Sequence, residues 1–487
     1  MRTIIKIENG IVRQDQYKFQ EPINITICEG EPIAILGGNG VGKSILIDIL
    51  TGKIALSSRP PLYDFGTSAS QRVCDNIKVV TFCDVYGDAS SGYYYQQRWN
   101  RGVEAEVEEP KVKDLLEKNC SQSDEFTQSL YKDLGIQDFM EKNLCMLSSG
   151  EYRRFQLVKS LLERPQVLIL DNPFIGLDQP ARAQIISFLQ KINECCKTLL
   201  ILVTPQKKDI PDFVRKVICI DRMSVKGDLG KDGCNSVSKD PNSSVGEDEL
   251  KRKILERGYI PTSSLSKEIV CCKDINIKYG NRTILKDFNW TVLQGEKWAL
   301  CGMNGSGKST LLSLVYADNP QAYACNISLF GNKRGTGESI WEIKKHIGYV
   351  SPEMFRSYRK NIRTIEIVAS GLHDTIGLYR KMTEDDAEKC LWWMVLFGID
   401  QLAQRPFLTL SSGEQRLVLL VRAFVKDPEL LILDEPFHGL DERNIEKSRV
   451  IIDGFCSQEG KTLIMVSHNE EEFPHCINRK LNLVKHL

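Results

Sequence analysis

The chain has 487 residues, enough for about two or three domains that each bury a core of their own. Its 42% of hydrophobic and 26% of charged residues are typical of a globular protein, and its 64 basic residues balance its 64 acidic ones. A net charge of zero gives no long-range attraction to nucleic acid or to anionic membranes, so the composition carries no strong nucleic-acid signal.

No apolar run in the sequence reaches the roughly 18 to 20 residues that span a bilayer. The opening "MRTIIKIENG" lacks the charged-then-apolar layout of a signal peptide and predicts a first strand followed by a turn. We therefore expect a cytoplasmic protein, either free or bound peripherally at the inner face of the cell membrane.

The first recognisable motif is "GGNGVGKS" at residues 37–44, placed after a predicted strand and before a predicted helix. In such a motif the glycines let backbone N–H groups curl around phosphates at the positive end of a helix. We expect Lys43 to reach the β- and γ-phosphates of a nucleotide and Ser44 to bind Mg²⁺. The phosphate-binding residues predicted here are Gly37, Asn39, Gly40, Gly42, Lys43 and Ser44.

Two further motifs follow in the first half, "LSSGE" at 147–151 and "LILDNPF" at 168–174. The apolar residues before Asp171 predict a buried strand of a parallel sheet with a carboxylate at its end. A carboxylate there can reach the phosphate-binding loop on the neighbouring strand, so Asp171 is predicted to contact the same Mg²⁺. Taken alone, "LSSGE" predicts only a helix N-terminus with a serine cap.

The middle of the chain, residues 226–249, is rich in Gly, Ser, Asp, Asn and Lys and holds few large apolar side chains. This composition predicts a flexible linker. The stretch "LKRKILERGYI" that follows is compatible with a short helix leading into the next domain. We predict a first domain at 1–225, a linker at 226–265 and a second domain at 266–487.

The second half repeats the motifs of the first as "GMNGSGKS" at 302–309, "LSSGE" at 410–414 and "LILDEPF" at 431–437. In both halves 21 residues separate the glycine of "LSSGE" from the aspartate at the strand end. Three motifs with the same order and spacing predict two homologous domains in tandem. The nucleotide-binding residues predicted in this half are Gly302, Asn304, Gly305, Gly307, Lys308, Ser309 and Thr310, and the Mg²⁺ contacts are Ser309 and Asp434.

This series of motifs, together with "GLDE" at 439–442, resembles the ATP-binding-cassette (ABC) ATPases in both halves. The resemblance implies an α/β fold with two tandem P-loop NTPase domains, each with a mixed sheet core and a helical subdomain, that bind ATP and Mg²⁺. In that family two cassettes pair head to tail, and the "LSSGE"-type segment of one closes over the γ-phosphate of the nucleotide held by the other. By analogy, Ser148 and Gly150 would complete the site of Lys308, while Ser411 and Gly413 would complete the site built on the first phosphate-binding loop.

The same resemblance assigns catalytic roles that differ between the halves. Glu435 stands at the family position of the residue that polarises the attacking water, and His468 at that of the switch histidine. The first half has Asn172 and Pro205 at these positions. An amide cannot accept a proton, and a proline offers neither an imidazole nor an N–H group.

Two more positions of the family pattern bear on this difference. Tyr279 corresponds to the aromatic residue on which adenine stacks, whereas the first half offers only Tyr17, at an offset spacing. The family's glutamine after the third strand is absent from both halves, where Asp84 and Pro352 stand nearby. A single Glu-to-Asn difference is compatible with neutral drift, but three departures in one half favour a functional asymmetry. We expect hydrolysis in the second cassette and slow or no hydrolysis in the first.

The second domain, from about Ile269 onward, resembles the ModF-type molybdenum-transport ATP-binding proteins, which are single chains with two cassettes. This implies an energising subunit that contacts a membrane permease and serves molybdate uptake. Two alternatives are a ribosome-associated ATPase of the ABC-F type and a DNA-maintenance or regulatory ATPase. The first normally has a long basic linker and two catalytic glutamates, and the second needs a nucleic-acid surface; neither feature is visible here.

Overall fold

The structure is a computed structural model, and it describes residues 2–81, 111–117, 125–143, 147, 149–177, 179–195, 198–228, 246–257, 267–279, 282–358 and 360–484. The chain divides into two compact units. The described residues up to Asp228 belong to the first unit and those from Gly246 onward to the second.

The first unit is an α/β domain. Its strands are β1 (Thr3–Gly10), β2 (Ile23–Cys28), β3 (Ile33–Leu36), β4 (Leu62–Tyr63), β5 (Ile77–Thr81), β6 (Val167–Asp171), β7 (Leu199–Thr204), β8 (Lys216–Asp221) and β9 (Ser224–Asp228). Its α-helices are α1 (Lys43–Leu50), α2 (Val73–Asn76), α3 (Val112–Glu117), α4 (Glu125–Asp133), α5 (Ser149–Leu162) and α6 (Gln179–Cys195).

The main sheet of this unit has the strand order β5-β6-β7-β3-β8-β9. All neighbouring pairs are parallel except β8 and β9, which form an antiparallel hairpin. Strands β6 and β7 are continuous apolar runs because both faces of the sheet are covered. A small antiparallel sheet, β2-β1-β4, packs its isoleucines into the core on the side of α1.

The second unit has the same kind of architecture. Its strands are β10 (Glu268–Tyr279), β11 (Arg282–Leu293), β12 (Lys297–Cys301), β13 (Asn326–Leu329), β14 (Asn332–Lys333), β15 (Ile347–Val350), β16 (Leu430–Asp434), β17 (Thr462–Val466) and β18 (Arg479–Asn482). Its α-helices are α7 (Glu247–Glu256), α8 (Lys308–Val315), α9 (Ile340–Lys345), α10 (Pro352–Ser357), α11 (Thr364–Ala369), α12 (Glu384–Phe397), α13 (Ser412–Phe424) and α14 (Glu442–Cys456).

The parallel sheet of the second unit has the order β15-β16-β17-β12-β18, which repeats the order β5-β6-β7-β3-β8 of the first. An antiparallel sheet, β11-β10-β13-β14, accompanies it. Helices α10, α11 and α12 follow β15 and share one apolar core with α13 and α14. The predicted pair of α/β domains with parallel and antiparallel strands and a helical part is therefore confirmed.

Only part of the predicted linker, residues 226–265, falls in the described residues. Residues 226–228 end β9, and residues 246–257 contain α7. Helix α7 lies on α14, where Ile254 is buried and its carbonyl accepts a hydrogen bond of 3.1 Å from Nε2 of Gln458. The guanidinium of Arg257 then stacks 4.2 Å from the ring centre of Trp392 on α12. Residues 246–257 of the predicted linker thus pack on the second unit, whereas residues 226–228 belong to the first.

None of the helices in the described ranges combines the length and the apolar character that a membrane crossing requires.

Candidate nucleotide-binding sites

The phosphate-binding loop of the second unit connects β12 to α8. Its glycines Gly302, Gly305 and Gly307 have φ angles of 144°, 77° and 99°, which other residues rarely adopt. A Cβ atom on Gly302 would lie 2.6 Å from the carbonyl oxygen of Leu483. The loop therefore needs glycine here, and it leads directly into the N-terminus of α8, where a helix attracts anions.

Lys308 opens α8 and is only 8% exposed. Its Nζ donates hydrogen bonds to the carbonyl oxygens of Gly302 at 2.6 Å and Met303 at 3.1 Å. The charge is thus held inside the loop, where the family places the phosphates. Thr310, another predicted contact, is buried two residues further along the helix.

Asp434 ends the buried strand β16 beside this loop. Its Oδ2 accepts a hydrogen bond of 3.3 Å from the hydroxyl of Ser309. Burial raises the pKa of Asp434 well above its usual value, and the negative charges of Glu353 and Glu435 raise it further, while Lys308 acts in the opposite direction. The two predicted Mg²⁺ contacts of this half are therefore brought together.

Glu435 has a left-handed backbone, with φ of 50°, and its N–H donates to the carbonyl of Val466 at 3.0 Å. Nε2 of His438 lies 2.7 Å from Oε2 of Glu435, and Nε2 of His468 lies 3.1 Å from Oε1. Each imidazole thus lies against one carboxylate oxygen, and each oxygen keeps a further lone pair for another donor. Burial alone would raise the pKa of Glu435, but His438, His468 and Lys308 hold it below its usual value.

The turn after β17 places His468 beside this carboxylate. Ser467 accepts a hydrogen bond of 3.2 Å from the N–H of Asn469, and its hydroxyl donates to Glu472 at 2.9 Å. These bonds fix the backbone on both sides of the histidine. Sequence comparison placed His468 at the switch position, and the turn brings its ring to Glu435.

The phosphate-binding loop of the first unit has the same construction. Lys43 begins α1, is 9% exposed, and its Nζ donates to the carbonyls of Gly37 at 2.8 Å and Gly38 at 2.6 Å. Gly40 and Gly42 have φ of 72° and 109°. Ser44 is exposed at the start of the helix. Lysine and glycines are thus arranged for phosphate in this unit as well.

Asp171 and Asn172 follow β6 as Asp434 and Glu435 follow β16. The side-chain Nδ2 of Asn172 donates to Oδ1 of Asp171 at 2.9 Å, and its Oδ1 is buried without a hydrogen-bond partner. Burial raises the pKa of Asp171 to about 6, although the charge of Lys43 opposes the rise. The Asn172 amide therefore donates to the carboxylate that is predicted to contact Mg²⁺, and it provides no carboxylate that could accept a proton from water.

The turn after β7 repeats the hydrogen bonds found after β17. Thr204 accepts a bond of 3.2 Å from the N–H of Gln206, and its hydroxyl donates to Asp209 at 3.2 Å. Pro205 is buried in the middle of this turn, where the second unit has His468. The backbone arrangement is thus repeated, and the imidazole is what differs.

The two "LSSGE" segments lie at the N-termini of α5 and α13. Ser411 caps α13: its Oγ accepts from the N–H of Glu414 at 3.3 Å, and the Glu414 carboxylate accepts from the N–H of Ser411 at 2.8 Å. Gly413 is buried in the first turn, and Gly150 lies at the corresponding place in α5. The N-terminus of α13 thus has the capping pattern that the sequence predicted.

Several predicted residues fall outside what the structure describes. Ser148 and Asp84 lie outside the described residues, and so does the side chain of Tyr279, although its backbone ends β10. Tyr17 ends a short 3-10 helix and packs against the core on the side of β1. Pro352 begins α10, where it follows the capping residue Ser351.

Two residues of the second site were missed by sequence reasoning. His438 contacts Glu435 directly, and the charge of Glu353, next to Pro352, reaches Asp434. A residue-by-residue comparison of the two halves would have found His438, because "PFHGLD" stands against "PFIGLD". For Glu353 the sequence holds no comparable signal, since its effect on Asp434 depends on how α10 begins.

The comparison with known proteins agrees with this geometry. The ABC transporter family profile matches the chain twice, over residues 20–175 and 285–438. The chain is 32% identical to the ABC transporter ATP-binding protein ModF of Escherichia coli strain K12, over 99% of this chain and 96% of that protein. It is 28% identical to an uncharacterized ABC transporter ATP-binding protein of Schizosaccharomyces pombe, over 99% of this chain and 98% of that one.

Solved structures share the fold. The archaeal ribosome recycling factor aABCE1, crystallised with the ribosomal stalk protein aP1, aligns with a TM-score of 0.52 and 17% identity over 97% of this chain and 87% of that chain. The RNase-L inhibitor aligns with a TM-score of 0.51 and 18% identity over 93% of this chain and 83% of that chain. Because the family profile matches both halves and a full-length relative shares 32% of the sequence, the chain belongs to the ABC transporter family and carries two ATP-binding cassettes.

Proposed function

We propose that the protein is an ATPase with unequal sites, in which the second cassette hydrolyses ATP and the first binds ATP with little or no hydrolysis. The observation that carries this proposal is the buried carboxylate of Glu435, which lies next to Asp434 and between the imidazoles of His438 and His468. Asn172 puts an amide at the same point of the first cassette. The proposed base therefore exists in one cassette.

The second cassette has the groups that ATP hydrolysis needs. Lys308 and the N-terminus of α8 supply positive charge for the phosphates. Each carboxylate oxygen of Glu435, although it contacts an imidazole, keeps a lone pair that can orient a water and accept its proton. The attack is thus assisted by a base that the protein fold holds beside the phosphate-binding loop.

The residues beside the loop also fit Mg²⁺. Asp434 is 4% exposed, and the carboxylates of Glu353 and Glu435 add repulsion to the burial of its charge. A divalent cation next to Asp434 and the hydroxyl of Ser309 would relieve this repulsion. When bound, Mg²⁺ supplies neutralisation of the phosphate charge. The proposed Mg²⁺ contacts in the first cassette are Ser44 and Asp171.

Family membership supports a further part of the proposal. In ABC ATPases a nucleotide on one cassette is completed by the "LSSGE"-type segment of another. We assign Ser148 and Gly150 to the nucleotide of the second cassette, and Ser411 and Gly413 to that of the first. The first cassette then takes part in hydrolysis even though it has no base of its own.

The decisive experiment measures phosphate release by the purified full-length protein with ATP and Mg²⁺. The variant Glu435→Gln should lower kcat by about 10²- to 10⁴-fold, the usual effect of removing a general base. Asn172→Ala, the matched change in the first cassette, should alter kcat little. Equal losses in the two variants would contradict the asymmetry, and activity that survives in Glu435→Gln would remove Glu435 from its role.

For the biological role we propose that the protein energises a membrane permease, in line with its full-length similarity to the ABC transporter ATP-binding protein ModF. Molybdate uptake is the transport process that this resemblance implies. A pull-down from native membranes should recover an integral-membrane partner. Recovery of ribosomes alone would favour a ribosome-associated ATPase; a ribosome recycling factor shares the fold of this chain. Recovery of DNA would favour a maintenance or regulatory ATPase.

A further inference from the structure

We propose that His438 is a positioning residue for the ATPase reaction, and that its imidazole holds the carboxylate of Glu435 in the orientation required to polarise water. The inference rests on the proposed function of Glu435. It assigns a role to a residue that the motif comparison did not select.

The first support is the geometry at the carboxylate. Nε2 of His438 lies 2.7 Å from Oε2 of Glu435, and Nε2 of His468 lies 3.1 Å from Oε1. The three side chains are 16%, 7% and 17% exposed, in the order His438, Glu435, His468. With one imidazole against each oxygen, the carboxylate cannot rotate freely about its last side-chain bond. A fixed carboxylate is what a base needs to meet water in a productive direction.

The second support is that the backbone of His438 is itself held. Its N–H donates a hydrogen bond of 3.4 Å to the carbonyl oxygen of Glu435, and its own carbonyl accepts one of 3.1 Å from Nη1 of Arg416. Arg416 stands on α13, three residues after Gly413, and its guanidinium lies 4.5 Å from the ring centre of Phe355. The imidazole of His438 therefore projects from a turn whose backbone is held by hydrogen bonds.

The third support comes from the first cassette, where the corresponding turn has neither the histidine nor the glutamate. The N–H of Ile175 donates to the carbonyl of Asn172 at 3.4 Å, the same distance as between His438 and Glu435. Arg153, which corresponds to Arg416, donates to the carbonyl of Pro173 at 3.2 Å. An isoleucine thus occupies the histidine position in the cassette that has an amide in place of the carboxylate. A histidine required only to build the turn would be expected in both.

The experiment measures steady-state ATP hydrolysis by the full-length protein in five forms. These are the wild type, His438→Ile, His438→Gln, Glu435→Gln and the double variant Glu435→Gln/His438→Ile, for which Glu435→Gln is the reference. Isoleucine is chosen because the first cassette has it at this point of the turn. Glutamine is chosen because its side-chain amide can present an Nε2–H group close to the place of the imidazole Nε2.

The expected results separate positioning from folding. His438→Ile should lower kcat by about 10- to 100-fold with KM for ATP unchanged, because a misplaced base affects the reaction and not the binding of substrate. His438→Gln should recover part of the loss. In the Glu435→Gln background the added His438→Ile should have no further effect, since there is no base left to position.

Other outcomes would overturn the inference. A wild-type kcat in His438→Ile would show that Glu435 does not need the imidazole. A raised KM, or a lowered melting temperature with no rescue by glutamine, would assign His438 to binding or packing. If Glu435→Gln itself kept full activity, the proposed function would fail first, so the two failures are distinguishable.

Discussion

Asn172 and Glu435 follow their strands in the same backbone conformation. Their φ angles are 54° and 50°, and their N–H groups donate to the carbonyls of Val203 at 2.8 Å and Val466 at 3.0 Å. Residues other than glycine rarely adopt this left-handed backbone conformation, so the turn is strained in both cassettes. Because the strained backbone is present twice, the chemical difference between the two sites resides in the side chains.

Restoring the carboxylate alone is expected to leave the first cassette inactive. In an Asn172→Glu variant the new side chain would face Ile175 and Pro205, where Glu435 has two imidazoles. We predict that Asn172→Glu added to Glu435→Gln gives no ATPase activity above that of Glu435→Gln, measured as phosphate release. Recovery to within about tenfold of the wild-type rate would mean that a base suffices and that the imidazoles are dispensable.

Asp171 is expected to reduce the stability of the nucleotide-free protein. Burial raises its pKa in the fold to about 6, from a model-peptide value of 3.8. Below pH 3.8 the carboxyl is protonated in both the folded and the unfolded protein and does not reduce stability. As the pH rises toward about 6, the unfolded chain loses the proton while the fold keeps it, so the free energy of unfolding falls. Above about pH 6 the buried carboxylate costs the fold about 3 kcal/mol. Asp171→Asn should raise the melting temperature at pH 7.5.

The pH dependence provides the control for this prediction. The gain from Asp171→Asn should shrink between pH 7 and pH 5, because the wild-type carboxyl becomes protonated in the fold over that range. ATP with Mg²⁺ should stabilise the wild type more than the variant, since Asp171 is a proposed metal contact. A lower melting temperature for the variant at pH 7.5 would show that the charge stabilises the fold.

Much of the fold and of the phosphate-binding geometry could be predicted from the sequence. The apolar runs before Asp171 and Asp434 indicated buried parallel strands, and those strands are β6 and β16. Glycines at fixed offsets indicated the loops because the required φ angles exclude most other residues. Both signals are local, so they can be read without knowing where distant segments pack.

Contacts between segments distant in sequence could not be predicted in the same way. The approach of Glu353 to Asp434 depends on where α10 begins, and the bond from Arg416 to His438 joins a helix to a turn 22 residues away. The docking of α7 depends on a few apolar side chains within a charged stretch. The sequence allowed a short helix at this place, but it did not show that the helix packs on the second cassette.

Gly302 is expected to tolerate no side chain. Its φ is 144°, and a Cβ would lie 2.6 Å from the carbonyl oxygen of Leu483, a backbone atom that cannot move aside easily. Gly295 is a matched control, because its φ is 82° and a Cβ there would meet nothing within 4 Å. Gly295→Ala should cost about 1 kcal/mol of stability from the left-handed backbone alone.

Gly302→Ala should combine such a backbone cost with the clash, and the loop should shift away from the geometry that holds Lys308. We predict a large loss of affinity for a fluorescent ATP analogue in Gly302→Ala and wild-type affinity in Gly295→Ala. Equal affinity in the two variants would mean that the loop adapts to the added methyl group.

Helix α7 is expected to be an integral part of the second cassette. Ile254 is 1% exposed and its Cδ1 lies 3.0 Å from where a Cβ on Gly454 would be, whereas the neighbouring Leu255 is 50% exposed. Ile254→Asp would bury an unpaired carboxylate against α14 and should destabilise the second unit by about 3 kcal/mol or more. Leu255→Asp, one residue away, should change stability by less than about 0.5 kcal/mol. Thermal unfolding and amide hydrogen exchange of α7 and α14 distinguish the two, and equal exchange protection in both variants would mean that α7 contributes nothing to holding α14.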